Sequence, residues 1–351
     1  MMSFVPYLAP GALLALLLPV GLVSGRAEAA ACTADVYAGI RAPAAAGTAP
    51  VALGCDLSLA KNDVITAPIV FSGSRASGVT LDCNGGTLDG TAAKRDVLLI
   101  QSVERPDGSW DVPRGTHIRN CTIRGGIRIR GLGANGEAEN VRRSSLEAGH
   151  TQRAQAAAPS GITLSNITLE ANGRIPLYAA PGVTGMTIEN SRITGTSAST
   201  AIYLDAESAG NRIIGNTFTI STAKREMIAV DGSADNRIEN NVFDNPVTGG
   251  IFLYRNCGEG GTIRHQAPER NLITGNTFRY RNFWGARPAV WLGSRQGARS
   301  YCFSSPGHPF GSSLSPLDFA RHNTVTGNHL AGGAPELILD HDRENIVSGN
   351  D

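Results

Sequence analysis

The chain has 351 residues, with 31 Lys plus Arg against 30 Asp plus Glu and a formal net charge of +1 at pH 7. That balance leaves no basic field of the kind phosphate backbones require, which argues against nucleic acid as a partner. With 42 Gly, 6% aromatic residues and a second half crowded with Thr, Ile, Val and Asn, the composition points to short strands divided by tight turns, an all-β chain.

Residues 1–31 stand apart. The apolar run "FVPYLAPGALLALLLPVGLVSG" is followed by Ala27-Glu28-Ala29, a small-residue cleavage pattern, so this stretch reads as a signal peptide even though "MMS" lacks the usual positive charge. A retained anchor is one alternative. Cys32, after three alanines, opens a lipoprotein alternative, weakened because Ala29 stands where Leu is usual. The mature chain is expected to be secreted or periplasmic, monomeric, and free of stable membrane insertion once the leader is cleaved.

Six cysteines follow, at 32, 55, 83, 121, 257 and 302, an even number with no CxxC pair, which favours disulfide bonds over a zinc site. Cys32 with Cys55 would tie down residues 32–77, expected as an N-terminal segment and cap. Cys257 with Cys302 would join two insertions, although spacing alone does not fix the pairing.

From residue 78 the chain repeats itself. "NRIIGNTF" at 211 returns as "NRIENNVF" at 236, "NLITGNTF" at 271, "NTVTGNHL" at 323 and "NIVSGND" at 345, in steps of 25, 35, 52 and 22 residues. Weaker versions lie in "GVTLDCNGGTLDG" at 78, "THIRNCTIRGG" at 116, "SGITLSNITLEAN" at 160 and "TGMTIENSRITGT" at 184. A unit this short, apolar at alternate positions and bent at Gly or Asn, cannot hold two helices and suits one coil of a parallel β-helix. Ile213 and Phe218, Ile238 and Phe243, and Ile273 and Phe278 should stack as apolar columns about 4.8 Å apart. Asn216, Asn241, Asn276 and Asn328 should share a bend, in left-handed geometry and bonded to their copies.

"VTLDCNGGTLDG", "IRNCTIRGG" and "NRIIGNTF" resemble the right-handed parallel β-helix superfamily of pectate lyases and related secreted carbohydrate-active proteins, over roughly 78–351. The resemblance implies an all-β, single-stranded right-handed parallel β-helix (solenoid) with long loop insertions, acting on a polysaccharide. The polygalacturonase and alginate-epimerase signatures are absent, so no particular activity is carried over.

Each coil adds a second, variable strand: "IRIR" at 127, "IPLY" at 175, "IYLD" at 202, "IAVD" at 228, "IFLY" at 251, "VWLG" at 290 and "LILD" at 337. Positions one and three are apolar and point inward, so positions two and four should face solvent. The first outward column reads Arg128, Pro176, Tyr203, Ala229, Phe252, Trp291, Ile338, and the second Arg130, Tyr178, Asp205, Asp231, Tyr254, Gly293, Asp340. Aromatic rings beside charges suit the apolar and polar faces of a sugar chain. The competing reading is that the long insertions fold over these rings and bury them.

Asp205 and Asp231, one coil apart, are expected about 5 Å apart, with Glu207 pointing the same way. Three chemistries fit: a Ca2+ site on Asp205, Asp231 and Glu207, an acid and nucleophile pair for glycoside hydrolysis, or turn-capping aspartates. Arg255 follows Tyr254, Arg225 precedes the Asp231 strand and Arg295 follows "VWLG"; with Arg128 and Arg130 these cations would hold the carboxylates of an acidic polysaccharide, unless they are scattered surface charge. Insertions of about ten and about 27 residues after coils 236 and 271 should wall the groove. His265 on the first of these is a candidate acid or base, or merely a solvated loop His, with Tyr203 and Tyr254 as alternatives. The function expected is cleavage of an acidic polysaccharide, by a lyase or by paired-aspartate hydrolysis, with a non-catalytic glycan-binding or structural surface protein as the other class.

Overall fold

The computed structural model describes residues 1–2, 29–45, 47–91, 96–257, 259–296 and 315–351. The leader expected at 1–31 and the partner expected for Cys257, Cys302, fall largely or wholly outside these residues. Among the described residues no helix is long and apolar enough to cross a membrane.

Three parallel sheets run the length of the body. The first stacks ten strands from Val51–Ala52 to Ile338–Asp340, the second ten from Leu57–Ser58 to Ile346–Ser348, and the third nine from Val64–Ile65 to His329–Ala331, with Ser221–Thr222 paired beside that path. Each coil contributes one strand to each sheet, so neighbours in a sheet come from successive coils. The coils begin at residue 51, more than a full turn before the expected start at 78. Upstream, helix α1 (Ala34–Arg41) buries Ile40 on the core, tethered by the Cys32–Cys55 disulfide. A second disulfide, Cys83–Cys121, joins adjacent coils, and Cys257 is also disulfide-bonded.

The core is built as the repeat implies. Ile213, Ile238, Ile273 and Val325 pair in sequence along the second sheet, and Phe218, Phe243 and Phe278 stack with centroids 4.7 Å apart at both steps. All are fully buried. At the corner between these sheets, Asn216 donates from its backbone N–H and Nδ2 to Oδ1 of Asn241, which does the same to Asn276, and so on to Asn328 and Asn350. A second ladder runs through Asn211, Asn236, Asn271, Asn323 and Asn345. Buried amides satisfied by their own copies stabilise each corner.

One detail of the bend differs from expectation. The left-handed residue is the one before each ladder Asn: Gly215, Asn240, Gly275 and Gly327 at the first corner, and Gly210, Asp235, Arg270 and His322 at the second. The ladder asparagines are absent from the positive-φ set, so their task is hydrogen bonding and the preceding residue absorbs the turn.

Candidate functional site

The first sheet carries the variable strands, and two of them sit in a different register from the sequence reading. Arg128 pairs with Tyr178, and Tyr178 with Tyr203, so the second variable strand is Leu177–Ala179 and not "IPLY". Tyr178 therefore belongs to the column of Arg128, Tyr203, Ala229, Phe252 and Trp291. In the last coil Leu339 pairs with Trp291 and Asp340 with Leu292, a shift of one residue that takes Ile338 and Asp340 out of the columns.

The expectation that positions two and four face solvent is also corrected over the middle coils. Tyr203, Asp205, Asp231, Phe252 and Tyr254 are all buried, at 8% exposure or less. They are covered by the segment holding helices α2 (Glu139–Ser145) and α3 (His150–Ala157), by residues 255–257 and 262–266, and by residues around 315–319. The competing reading, that insertions close over the rings, is the one this geometry matches.

Burial dictates the hydrogen bonding, because an unpaired polar group there is costly. Asp205 accepts from the Tyr178 hydroxyl, from Gly136 N at 3.1 Å and from Ala206 N at 2.8 Å, and lies 3.5 Å from the buried Arg264 guanidinium. Burial raises the Asp205 pKa; Arg264 opposes the shift, and Asp231 adds to it. Asp231 accepts from Tyr203 Oη at 2.6 Å and Asn256 N at 2.6 Å. Both phenols are pushed well above their usual pKa, by burial first and by the neighbouring carboxylates second. Tyr254 donates to Glu226 at 3.1 Å, accepts from Arg225, and lies under Arg295 with 3.8 Å from guanidinium to ring centroid.

Three expected site residues turn out to hold the cover in place. The Glu207 carboxylate accepts from Thr151 Oγ1, from His265 N at 2.8 Å and from Gln266 N, so it clamps the cover and does not converge with Asp205 and Asp231. Arg255, 7% exposed, donates to the carbonyls of Leu317, Ser315 and Arg264. His265 has its ring against His150, centroids 5.1 Å apart, and its Nε2 is 2.7 Å from Ser145 O. The donor set does not suit Ca2+: the two aspartates already face hydrogen-bond donors, and among the described residues no three His, Cys, Asp or Glu are grouped to hold a metal.

Toward the N-terminal end the same sheet is open. A cleft is lined by Pro50, Pro68, Ile69, Asp96, Leu99, Arg128, Arg130 and Arg174. Arg128 lies over the Tyr178 ring at 5.5 Å, donates to Ile175 O at 2.8 Å and has Nε 3.4 Å from Asp96. Arg174 reaches the same carboxylate at 3.5 Å. Two guanidinium groups thus meet one carboxylate, with Arg130 in the same lining, and both Arg130 Nε and Asp96 Oδ1 are buried with no hydrogen-bond partner. Burial lowers the Arg128 pKa; Asp96 opposes the shift and Arg174 adds to it. Tyr178 joins the zones: its ring stacks on Tyr203 at 5.2 Å, and its hydroxyl ends on Asp205.

At the far end of the column, Phe252 is buried beneath Arg287 at 4.7 Å and edge-on to Trp291 at 5.4 Å, and Trp291 Nε1 donates to His341 at 3.1 Å. Sequence reasoning missed Asp96, Arg174, Glu226 and Arg264. Glu226 could have been found, since it lies just before the Asp231 strand beside Arg225. Arg264 sits in an insertion with no repeat to place it.

Residues 107–279 match the family described as the right handed beta helix region. No curated protein matches the chain by sequence. Among solved structures the chain is similar to the catalytic domain of GH87 alpha-1,3-glucanase in complex with nigerose (13% identity over 79% of this chain, TM-score 0.44), and spans 40% of that chain. It is also similar to the Streptococcus pneumoniae surface protein and adhesin PfbA (12% identity, 78% of this chain and 69% of that one, TM-score 0.43). A third likeness is to alginate lyase from Paenibacillus sp. str. FPU-7 (10% identity, 75% and 80%, TM-score 0.30). The three parallel sheets, one strand per coil, and the family match together make this chain a right-handed parallel β-helix protein.

Proposed function

We propose that this protein is a secreted or periplasmic carbohydrate-active β-helix that engages an acidic polysaccharide along its first sheet. The observation that carries the reading is the cleft lined by Arg128, Arg130 and Arg174, with Asp96 as the one carboxylate in its lining and the Tyr178 ring continuing the surface. Guanidinium groups bind carboxylates through charge-assisted bonds, and an adjoining aromatic face takes a sugar ring. The disulfides agree with an oxidising compartment.

A second reading, cleavage of the bound chain, is favoured by the Tyr178–Asp205 contact at the inner end of the cleft. A carboxyl whose pKa is raised by burial can hold a proton and deliver it through a hydrogen-bonded phenol, the task of a general acid. The test is a panel of acidic and neutral polysaccharides offered to the mature chain. Retention of polyuronates and not of neutral glucans is the expected result, and retention of neutral glucans alone would overturn it. Ultraviolet-absorbing unsaturated uronate would identify a lyase, new reducing ends without it a hydrolase, and retention with neither a non-catalytic binder.

A further inference from the structure

A separate surface lies on the far side of Phe252, on the loop that leaves the third sheet after Thr277–Arg279. Trp284 is 84% exposed, the most exposed large aromatic among the described residues, and its ring stacks on Phe283 with centroids 5.6 Å apart at 15°. Phe283 in turn packs against the core. The loop is fixed by its own bonds: Trp284 N donates to Asn282 Oδ1 at 3.0 Å, Ala286 N to Phe283 O at 2.9 Å, and Arg287 N to Val247 O at 3.0 Å. The indole is therefore displayed on a pre-set turn, so a ligand meeting it orders little new structure.

Beside that turn, residues 219–222 and 244–248 form a cleft lined by Ser221, Thr222, Asn245, Val247, Thr248 and Arg281. Hydroxyls and an amide around a small apolar floor, next to an exposed ring, are the donors, acceptors and stacking face a pyranose requires. Asp244 also lines the cleft and pairs with Arg281 at 3.0 Å, so the positive charge that flanks the surface is that of Arg287, whose guanidinium lies over Phe252. Arg287 also connects it to the first sheet, because Phe252 abuts Trp291.

We infer that the Trp284–Phe283 stack and its neighbouring hydroxyl-lined cleft form a second saccharide site, outside the first-sheet groove, that takes one uronate-bearing pyranose of the same chain. It rests on the reading of the protein as a binder of acidic polysaccharide. Two sites on one polymer act through effective concentration, so losing one weakens binding of long chains more than of short ones.

Calorimetric titration of the full chain with polygalacturonate and alginate, and with their short oligomers, tests it. Trp284→Ala should weaken binding of the polymers about tenfold, Trp284→Phe should retain most of it, and oligomers seated at the arginine cleft should bind both variants like the parent. Equal polymer affinity in the parent and Trp284→Ala overturns the second site and leaves the first-sheet reading intact. Failure of the parent to bind any polyuronate overturns both. Self-association of the parent that Trp284→Ala abolishes, with polymer affinity unchanged, assigns the ring to a contact between copies and overturns the proposal.

Discussion

Two stretches of one sheet, a few strands apart, show what covering does to the same kind of residue. In the open stretch Arg128 and Arg174 pair with Asp96, whose Oδ1 has no hydrogen-bond partner, and Arg130 Nε beside them has none either. In the covered stretch, Asp205, Asp231, Tyr203, Tyr254 and Glu226 all find partners, although Nε of Arg255 and Nε and Nη1 of Arg264, from the cover, make no hydrogen bond. Burial accounts for the pairing: buried carboxylates and phenols persist only when hydrogen-bonded, whereas a more open cleft can hold cations within reach of a ligand. Cations in reach suit the open stretch to recognition. Pairing suits the covered one to holding its lid, and any chemistry there passes through Tyr178, the residue shared by both.

The strongest way to break this contrast is to cut a pair in the covered stretch. Asp231→Ala strands the Tyr203 hydroxyl and Asn256 N–H in a dry site and should cost roughly 2–4 kcal/mol of stability, read by denaturant unfolding. A loss under about 0.5 kcal/mol would mean that the pair is not closed. In the open stretch the balance reverses: Arg130→Ala should weaken polyuronate binding about tenfold at fixed salt while leaving unfolding nearly unchanged. Equal affinity would show Arg130 to be idle.

Tyr178→Phe tests the residue in common. It removes one of the donors to Asp205 and should cost about 1 kcal/mol, while any cleaving activity falls more steeply than binding. Parallel losses would make Tyr178 a packing ring only.

The mildest test is acidity. Burial, helped by the His265 ring and by Arg153 and Arg264, holds the His150 pKa at about 4, below its ordinary 6.5. A depressed histidine contributes stability that is full above pH 6.5 and is lost as pH falls from there toward 4, because the opened form takes up the proton first. Protection factors for amide exchange across 136–157 and 262–266, taken relative to the intrinsic rate at each pH, should fall between pH 7 and 4.5, and His150→Gln should remove much of that dependence. Protection factors that stay flat in the parent would mean that the two rings do not control the cover.

The repeat made the frame readable because its signal is redundant. Phe218, Phe243 and Phe278 each report the same column, and the phrase around each Asn fixes register independently of its neighbours. The variable strands lack that redundancy. "IPLY" and Leu177–Ala179 both satisfy alternation, and "LILD" is apolar at three consecutive positions, so parity could not choose a register there. Alternation also assigns a side chain to a face without saying whether anything lies over it. Gly136, Glu207 and the pair Arg264 and Gln266, which join cover to sheet, come from three separate places in the chain, and only the folded backbone brings them together. The ladder asparagines were recognised, but the left-handed φ one residue earlier was not, since Gly, Asn, Asp, Arg and His share that position with no common composition.

The asparagine columns carry one further implication, for engineering. Asn236 bonds Asn271, and Asn271 bonds Asn323, across gaps of 35 and 52 residues, with the same contacts that join Asn211 to Asn236 across 25. Chain length between rungs is therefore decoupled from the pitch of the body. A loop leaving these coils could be shortened, lengthened or exchanged for a foreign sequence while the rungs on either side re-form, which makes the protein a chassis whose specificity can be rewritten one loop at a time.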